Sequence, residues 1–237
     1  MKAMQNAYLR FLAGVWQDAM LAACMAAPIF MGAAFRLGLP LLEGLLCRTL
    51  ACTAFLAPYY RLFDLLLAVM TPIMFAFSGV MTILEETDNG TARAMMVTPL
   101  GKSGYLFSRI GLSALLATGY AALLLAICGL SGMGGGMILA VSALSSLFSI
   151  VVSMLVVAFA HNKVEGMALI KLSGILIFGL PAVFFVAPPA RFLAGVLPSF
   201  WMAELAVTGQ WGYLVPALLC CGVWGAALYR RFAAKLL

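Results

Sequence analysis

Gly101, Lys102 and Ser103 stand together in a polar island, and Gly-Lys-Ser is how a phosphate-binding loop ends. Such a loop needs an earlier glycine at position 96, where the chain has Met96. It also needs backbone N–H donors where the chain has Pro99, which has none. No strand-like run precedes it, and nothing resembles the rest of a nucleotide-binding domain. The triplet is accidental, and the chain is not expected to hydrolyse ATP. A second cluster, His161, Asn162 and Glu165, has acid–base groups, but a lone histidine without a nucleophile or second ligand is a poor intramembrane enzyme. Six cysteines and one histidine show no metal-ligand spacing. Cys24, Cys128, Cys220 and Cys221 lie in apolar runs and read as small packing residues. A disulfide between Cys47 and Cys52 outside the membrane stays open.

The elements that hold these residues follow from composition. The 237-residue chain is 65% hydrophobic and 9% charged, whereas a soluble domain is about a quarter charged. No globule of this size has enough interior to hide that apolar surface, so the solvent must be lipid. The net charge of +6 sits between apolar runs, which argues membrane topology rather than nucleic acid. Two targeting look-alikes fail. "LAAC" at Leu21–Cys24 resembles a lipoprotein cleavage box, but the chain stays apolar after Cys24. "NGT" at Asn89–Thr91 matters only if it faces a glycosylating lumen.

Six stretches reach the roughly 20 apolar residues that a spanning helix needs. They run from about Trp16 to Phe35, Tyr59 to Leu84, Tyr105 to Leu130, Gly136 to Ala160, Met167 to Ala187 and Tyr213 to Phe232. Their continuous apolarity excludes barrel strands. The expected fold is all-α: one polytopic membrane domain over residues 1–237, with both termini cytoplasmic. Ten Lys and Arg (positions 2, 10, 93, 102, 109, 163, 171, 230, 231 and 235) fall on one side. Four (positions 36, 48, 61 and 191) fall on the other, and the basic side stays in the cytoplasm. Lys2 to Gly14 suits a helix lying on that cytoplasmic surface. Leu37 to Ala57, broken by Pro40, Glu43 and Arg48, reads as an outer connection that does not span. Pro188 to Trp211 should dip into the outer leaflet without crossing.

The polar island between the second and third runs has order of its own. Asp88 or Asn89 caps a short helix, and Ala92, Met95 and Met96 share one of its faces. Pro99 and Gly101 stop it, which leaves a knob about 10 Å long in the cytoplasm. By physics alone it either lies on headgroups or docks a partner. Glu85, Glu86, Gly90, Thr91, Thr98, Pro99, Leu100, Tyr105 and Leu106 match, in order, the loop between spans two and three of ABC type-2 permeases. "HNKVEGMALIKLSG" (His161–Gly174) and "LPSFW" (Leu197–Trp201) resemble the small members of that family that export fluoroquinolones. The resemblance covers the whole chain in topology and a fifth of it in motif. It implies an exporter permease that is itself no enzyme and binds no cofactor. Its partners would be two copies of a separate ATPase, which binds the ATP and Mg, and a second permease, identical or paralogous. The island would be the coupling helix. Ala92, Met95 and Met96 would fill a cleft on the ATPase, and Glu85 and Glu86 would anchor the knob.

Remaining polar residues carry two readings each. Thr71, Ser78 and Thr82 share a face of the second span, with Met70, Met74 and Met81 nearby. Close packing is the simple account. The family's central cavity, lined by spans two and five, makes these and Ser173 candidate substrate contacts. Ser142, Ser145, Ser146, Ser149 and Ser153 on the fourth span suit helix packing better than a substrate path. Lys171 should snorkel to headgroups. Arg61 and Asp64, three apart, suggest a local ion pair. Carboxylates gather at span ends, which disfavours the alternative of an ion-gradient-driven carrier.

Overall fold

The computed structural model describes residues 13–14, 16–50, 54–92 and 101–236. Among these residues every regular element is helical. Six helices are long and apolar enough to cross a bilayer: Ala19–Thr49, Ala57–Asp88, Gly104–Cys128, Gly135–Phe159, Lys163–Phe185 and Trp211–Ala234. They coincide with the six expected runs, except that the first is longer. The expected surface helix at Lys2 to Gly14 lies almost wholly outside the described residues.

Asp18 starts the first span as an N-cap, its Oδ1 accepting from the N–H of Met20 at 2.9 Å and Leu21 at 3.3 Å. The helix does not end at Phe35. It passes through a wide π turn, Ala34–Gly38, and continues as Leu39–Leu50. Leu37 to Ala57 is therefore largely a helical extension of the span. Pro40 did not break it because the wide turn just before it loosens the backbone where the proline ring would otherwise clash. Glu43 folds the following segment back, accepting from the N–H of Phe55 (2.8 Å) and Leu56 (2.6 Å).

The second and fourth spans form the centre, with 72% and 67% of their most apolar stretch buried, against 17–33% for the other four. On the fourth span all five serines are buried. Ser146, Ser149 and Ser153 turn their hydroxyls back onto carbonyls three or four residues earlier, at 2.8–3.1 Å. Thr118 of the third span donates to Ser146 at 2.8 Å, stitching spans three and four. The packing reading of the serine stripe is the one the structure gives.

Pro188 to Trp211 is more than a surface dip. A 3-10 segment, Ala190–Val196, leads into a helix, Pro198–Thr208, whose Phe200, Met202, Ala203, Glu204 and Leu205 are fully buried. Trp224, well inside the sixth span, donates its indole N–H to the Val196 carbonyl at 2.9 Å, and Trp201 donates to Gly195 at 2.7 Å. The segment thus enters the bundle and plugs its far end, where the second span begins. Arg191 reaches the buried Glu204, Nε to Oε1, at 2.9 Å. The angle is poor for a hydrogen bond, so this contact is chiefly charge against charge.

The expected Arg61–Asp64 pair does not form. Asp64 accepts from the N–H of Leu130 and Ser131 at 2.8–3.1 Å and from the Ser131 hydroxyl, so it closes the turn between spans three and four. Arg61 donates instead to the carbonyls of Ala206 (3.1 Å) and Val207 (3.5 Å) at the end of the plugging helix. Helix periodicity places residues three apart on one face, but exposed backbone groups from other elements competed for both side chains. Lys171 is exposed, as snorkelling requires.

Removing one partner of a buried ion pair leaves an uncompensated charge. Arg191→Met should lower the stability of the detergent-solubilised protein by about 3–5 kcal/mol. Arg191→Met combined with Glu204→Gln should recover most of that loss, as read by thermal unfolding. A double variant no more stable than the single one would contradict the pairing.

Candidate functional site: the root of the loop between spans two and three

The second span runs unbroken to Asp88. Asn89 is its C-cap and Gly90, at φ +72°, is the left-handed residue that ends it. The Thr91 hydroxyl donates to the Glu86 carbonyl at 3.1 Å, occupying one of the acceptors that a helix end leaves open. The Gly-Thr pair is therefore a stop signal with a physical cause. Asp88 and Asn89 end the span rather than capping a new helix. Thr91 and Ala92 begin the next helical turn, and Met95, Met96, Thr98, Pro99 and Leu100 lie outside the described residues.

Two carboxylates at this helix end face opposite ways. Glu86 points inward, its side chain 14% exposed, onto the start of the third span. The Tyr105 hydroxyl donates to its Oε2 at 2.6 Å, Arg109 Nε donates to the same oxygen at 3.3 Å, and Arg109 Nη2 donates to Oε1. Tyr105 is fully buried and the Arg109 side chain 3% exposed. Arg109 is aimed inward by a π turn, Phe107–Gly111, which lets a residue on an otherwise apolar helix face the protein. Its carbonyl lies where a Cβ on Gly79 would come within 2.7 Å, so the second and third spans touch backbone to side-chainless backbone. Taken alone, Arg109 reads as a membrane-edge arginine. The signal that finds it is an arginine a turn below a tyrosine, opposite a span that ends in two acids.

Glu85 points outward, half exposed, and accepts from Lys163 Nζ at 2.8 Å. The same ammonium lies 3.9 Å from Asp18. Lys163 begins the fifth span, whose N-cap is Asn162, with its Oδ1 accepting from the Glu165 N–H at 2.9 Å. Glu165 also takes the His161 N–H and ring Nδ1, at 2.8 and 2.9 Å. The cluster that looked like a weak catalytic site is a helix start. One lysine thus joins the starts of the first and fifth spans to the end of the second.

Of the residues expected on a partner's side, Glu86 is turned inward onto Arg109, and Ala92 is 3% exposed. Glu85, Gly90 and Thr91 are exposed. The expected cavity residues also divide. An apolar groove of about 200 Å³ between the second and fifth spans is lined by Leu66, Met70, Gly174, Ile177, Phe178 and Pro181. Met70 is in it, and Met74 and Thr82 are half-buried on the same helix. Thr71, Ser78, Met81 and Ser173 are buried in packing. The hydroxyls of Thr71, Ser78, Thr82 and Ser173 all return to carbonyls of their own helix. The face pattern was right for a helix, but burial put the hydroxyls on the inside of it.

A family model described as "Fluoroquinolones export permease protein Rv2686c-like" matches residues 11–229. The chain belongs to this family. Two curated relatives, the fluoroquinolones export permease proteins MT2760 and Rv2686c of Mycobacterium tuberculosis (strains CDC 1551 / Oshkosh and ATCC 25618 / H37Rv), are similar to it. Each is 28% identical over 230 residues, covering 94% of this chain and 90% of the relative. The drug-exporter resemblance carried by the loop, by His161–Gly174 and by Leu197–Trp201 is the one that this match supports. In this Rv2686c-like permease the three stretches are the root of a loop, the start of the fifth span, and the plug.

The two acids should differ sharply when removed. Glu86→Ala strands a buried guanidinium and should cost about 3–5 kcal/mol. Glu85→Ala removes a half-exposed ion pair and should cost under about 1 kcal/mol. Thermal unfolding of the two purified variants compares them. Equal losses would mean that the junction is not buried in the working protein.

Proposed function

We propose that the chain is the membrane-spanning permease subunit of an ATP-driven ABC exporter in a bacterial inner membrane. Two permeases, identical or paralogous, and two copies of a separate ATPase make the transporter. ATP and Mg are bound by the ATPase, and this chain performs no chemistry. Both termini and the loop after Gly90 face the cytoplasm. The cargo is a small amphipathic or hydrophobic compound; the curated relatives are named for fluoroquinolone export, and this chain's cargo is of that drug-like class.

The observation that carries this reading is the tied root of the loop. A motor outside the membrane can move helices only through something stiff. Here the second and third spans are fastened by Glu86, Tyr105 and Arg109 just inside the loop, and Lys163 ties in the first and fifth spans. A push on the loop would reach four spans as one rigid body. The apolar groove beside Met70, lined by flexible and aromatic apolar side chains and no charge, suits a cargo of loosely defined shape.

An ion-gradient-driven carrier would need a carboxylate free to load and release an ion. Asp64 and Glu204 are buried, but the first is enclosed by three donors and the second faces Arg191. Neither is placed for that cycle.

The test is reconstitution with the ATPase encoded nearby. The two should co-purify, and cargo should stimulate ATP hydrolysis. Glu85→Ala and Met95→Asp should each lower ATP-dependent export by roughly tenfold, a normal size for a lost coupling term, while leaving the fold intact. Full ATP-dependent export in both variants would remove the loop from the coupling path. Export that proceeds without ATP would overturn the exporter assignment.

A further inference from the structure

At the end opposite the loop lies a cavity of about 400 Å³ that the transport reading does not use. It sits where the second span begins, the third and fourth meet, the fifth ends and the plugging helix ends. Its wall includes Pro58, Tyr60, Arg61, Ser131, Phe184 and Val207. One side is aromatic and aliphatic, and the other carries a guanidinium. We infer that this cavity binds the anionic head of an amphiphile, a carboxylate or phosphate, through Arg61, with the apolar body against Phe184, Pro58 and Val207. The inference deepens the exporter reading, in which this end is the exit side.

Charge accounting around Arg61 is what points to an anion. Arg61 is half-buried, and a guanidinium has five donors. Its hydrogen bonds go through one nitrogen, Nη1, to two carbonyls. Among the described residues no carboxylate lies within ion-pair distance of it. The carboxylates of this end have other partners. Asp64 is held by Leu130 and Ser131, Glu43 by the N–H groups of Phe55 and Leu56, and Glu204 by Arg191. Each of those partners occupies an acid that would otherwise be free to pair with Arg61. A half-buried cation in a cavity, with its remaining donors unengaged, is satisfied best by a planar or tetrahedral oxyanion. The two carbonyl bonds have a structural job, holding the C-terminus of the plugging helix. They also fix the guanidinium, so an anion would meet it preorganised.

The experiment uses the full chain in nanodiscs of phosphatidylcholine. Pyrenebutyrate and its neutral amide are titrated by pyrene fluorescence, and phosphatidylglycerol retention is read by native mass spectrometry of protein released from mixed nanodiscs. The wild-type chain should bind the carboxylate about tenfold tighter than the amide, the size of a charge-assisted hydrogen bond. Arg61→Gln should remove that preference, and Arg61→Lys should keep part of it. Should Arg61→Gln not fold, the carboxylate-to-amide ratio of the wild type and of Arg61→Lys decides. Preference for pyrenebutyrate assigns the site to a cargo-like acid. Selective, Arg61-dependent retention of phosphatidylglycerol, displaced by no pyrenebutyrate, assigns it to lipid phosphate. Equal affinity for acid and amide with no selective phosphatidylglycerol retention overturns the inference. None of these readouts involves an ATPase, so a failed exporter assignment and a failed anion site are told apart.

Discussion

The structure depends on one buried junction, in which the carboxylate of Glu86 is held by the hydroxyl of Tyr105 and the guanidinium of Arg109. Charges are costly at membrane depth unless paired and hydrogen-bonded, so three polar groups that meet there must stay together. That requirement fixes the register between the second span and the third. It also explains two local oddities. The π turn at Phe107–Gly111 aims Arg109 inward, and Gly79 lets the backbones approach until no Cβ would fit. A hinge at this place would have to break a buried ion pair, so the loop and the two spans should move together.

The rest of the bundle is arranged around that stiff edge. In lipid the hydrophobic effect does not drive helices together, so close packing and hydrogen bonds must. The fourth span supplies this with its serines and the second with its buried hydroxyls, and these two spans form the centre. The outer spans expose large apolar side chains such as Phe30, Leu115, Ile127 and Leu219, as surfaces facing lipid or a second copy would. At the far end Arg61, Asp64, Glu43, Arg191 and Glu204 each bind something from a different element, closing the bundle with polar contacts where the loop end closes it with the Glu86 junction and Lys163.

Much of this was legible in the chain. Runs of 20 apolar residues can hardly be anything but spans, and all six appear. Gly90 and Thr91 marked the point where the second span stops. Three things were hidden, two of them because partners distant in sequence decided them. Glu86 read as an outward anchor because a helix end has no visible inside, and Arg109, 23 residues away, supplied one. Arg61 and Asp64 read as a pair because they share a helix face, yet backbone groups of the plug and of the turn after Cys128 took both. Pro40 and Glu43 read as breakers, but a π turn accommodates the first and two amides occupy the second.

The central claim is that the short segment after Gly90 is where an outside motor touches this chain. Photo-cross-linking from Thr91 in native membranes addresses it most directly, because Thr91 is exposed and immediately follows the stop of the second span. A cross-linker there should join the chain to an ATPase subunit, with a yield that changes between ATP-bound and nucleotide-free states. The same cross-linker at Phe55, on the opposite end, should not. An ATPase adduct from Phe55 and none from Thr91 would contradict the account.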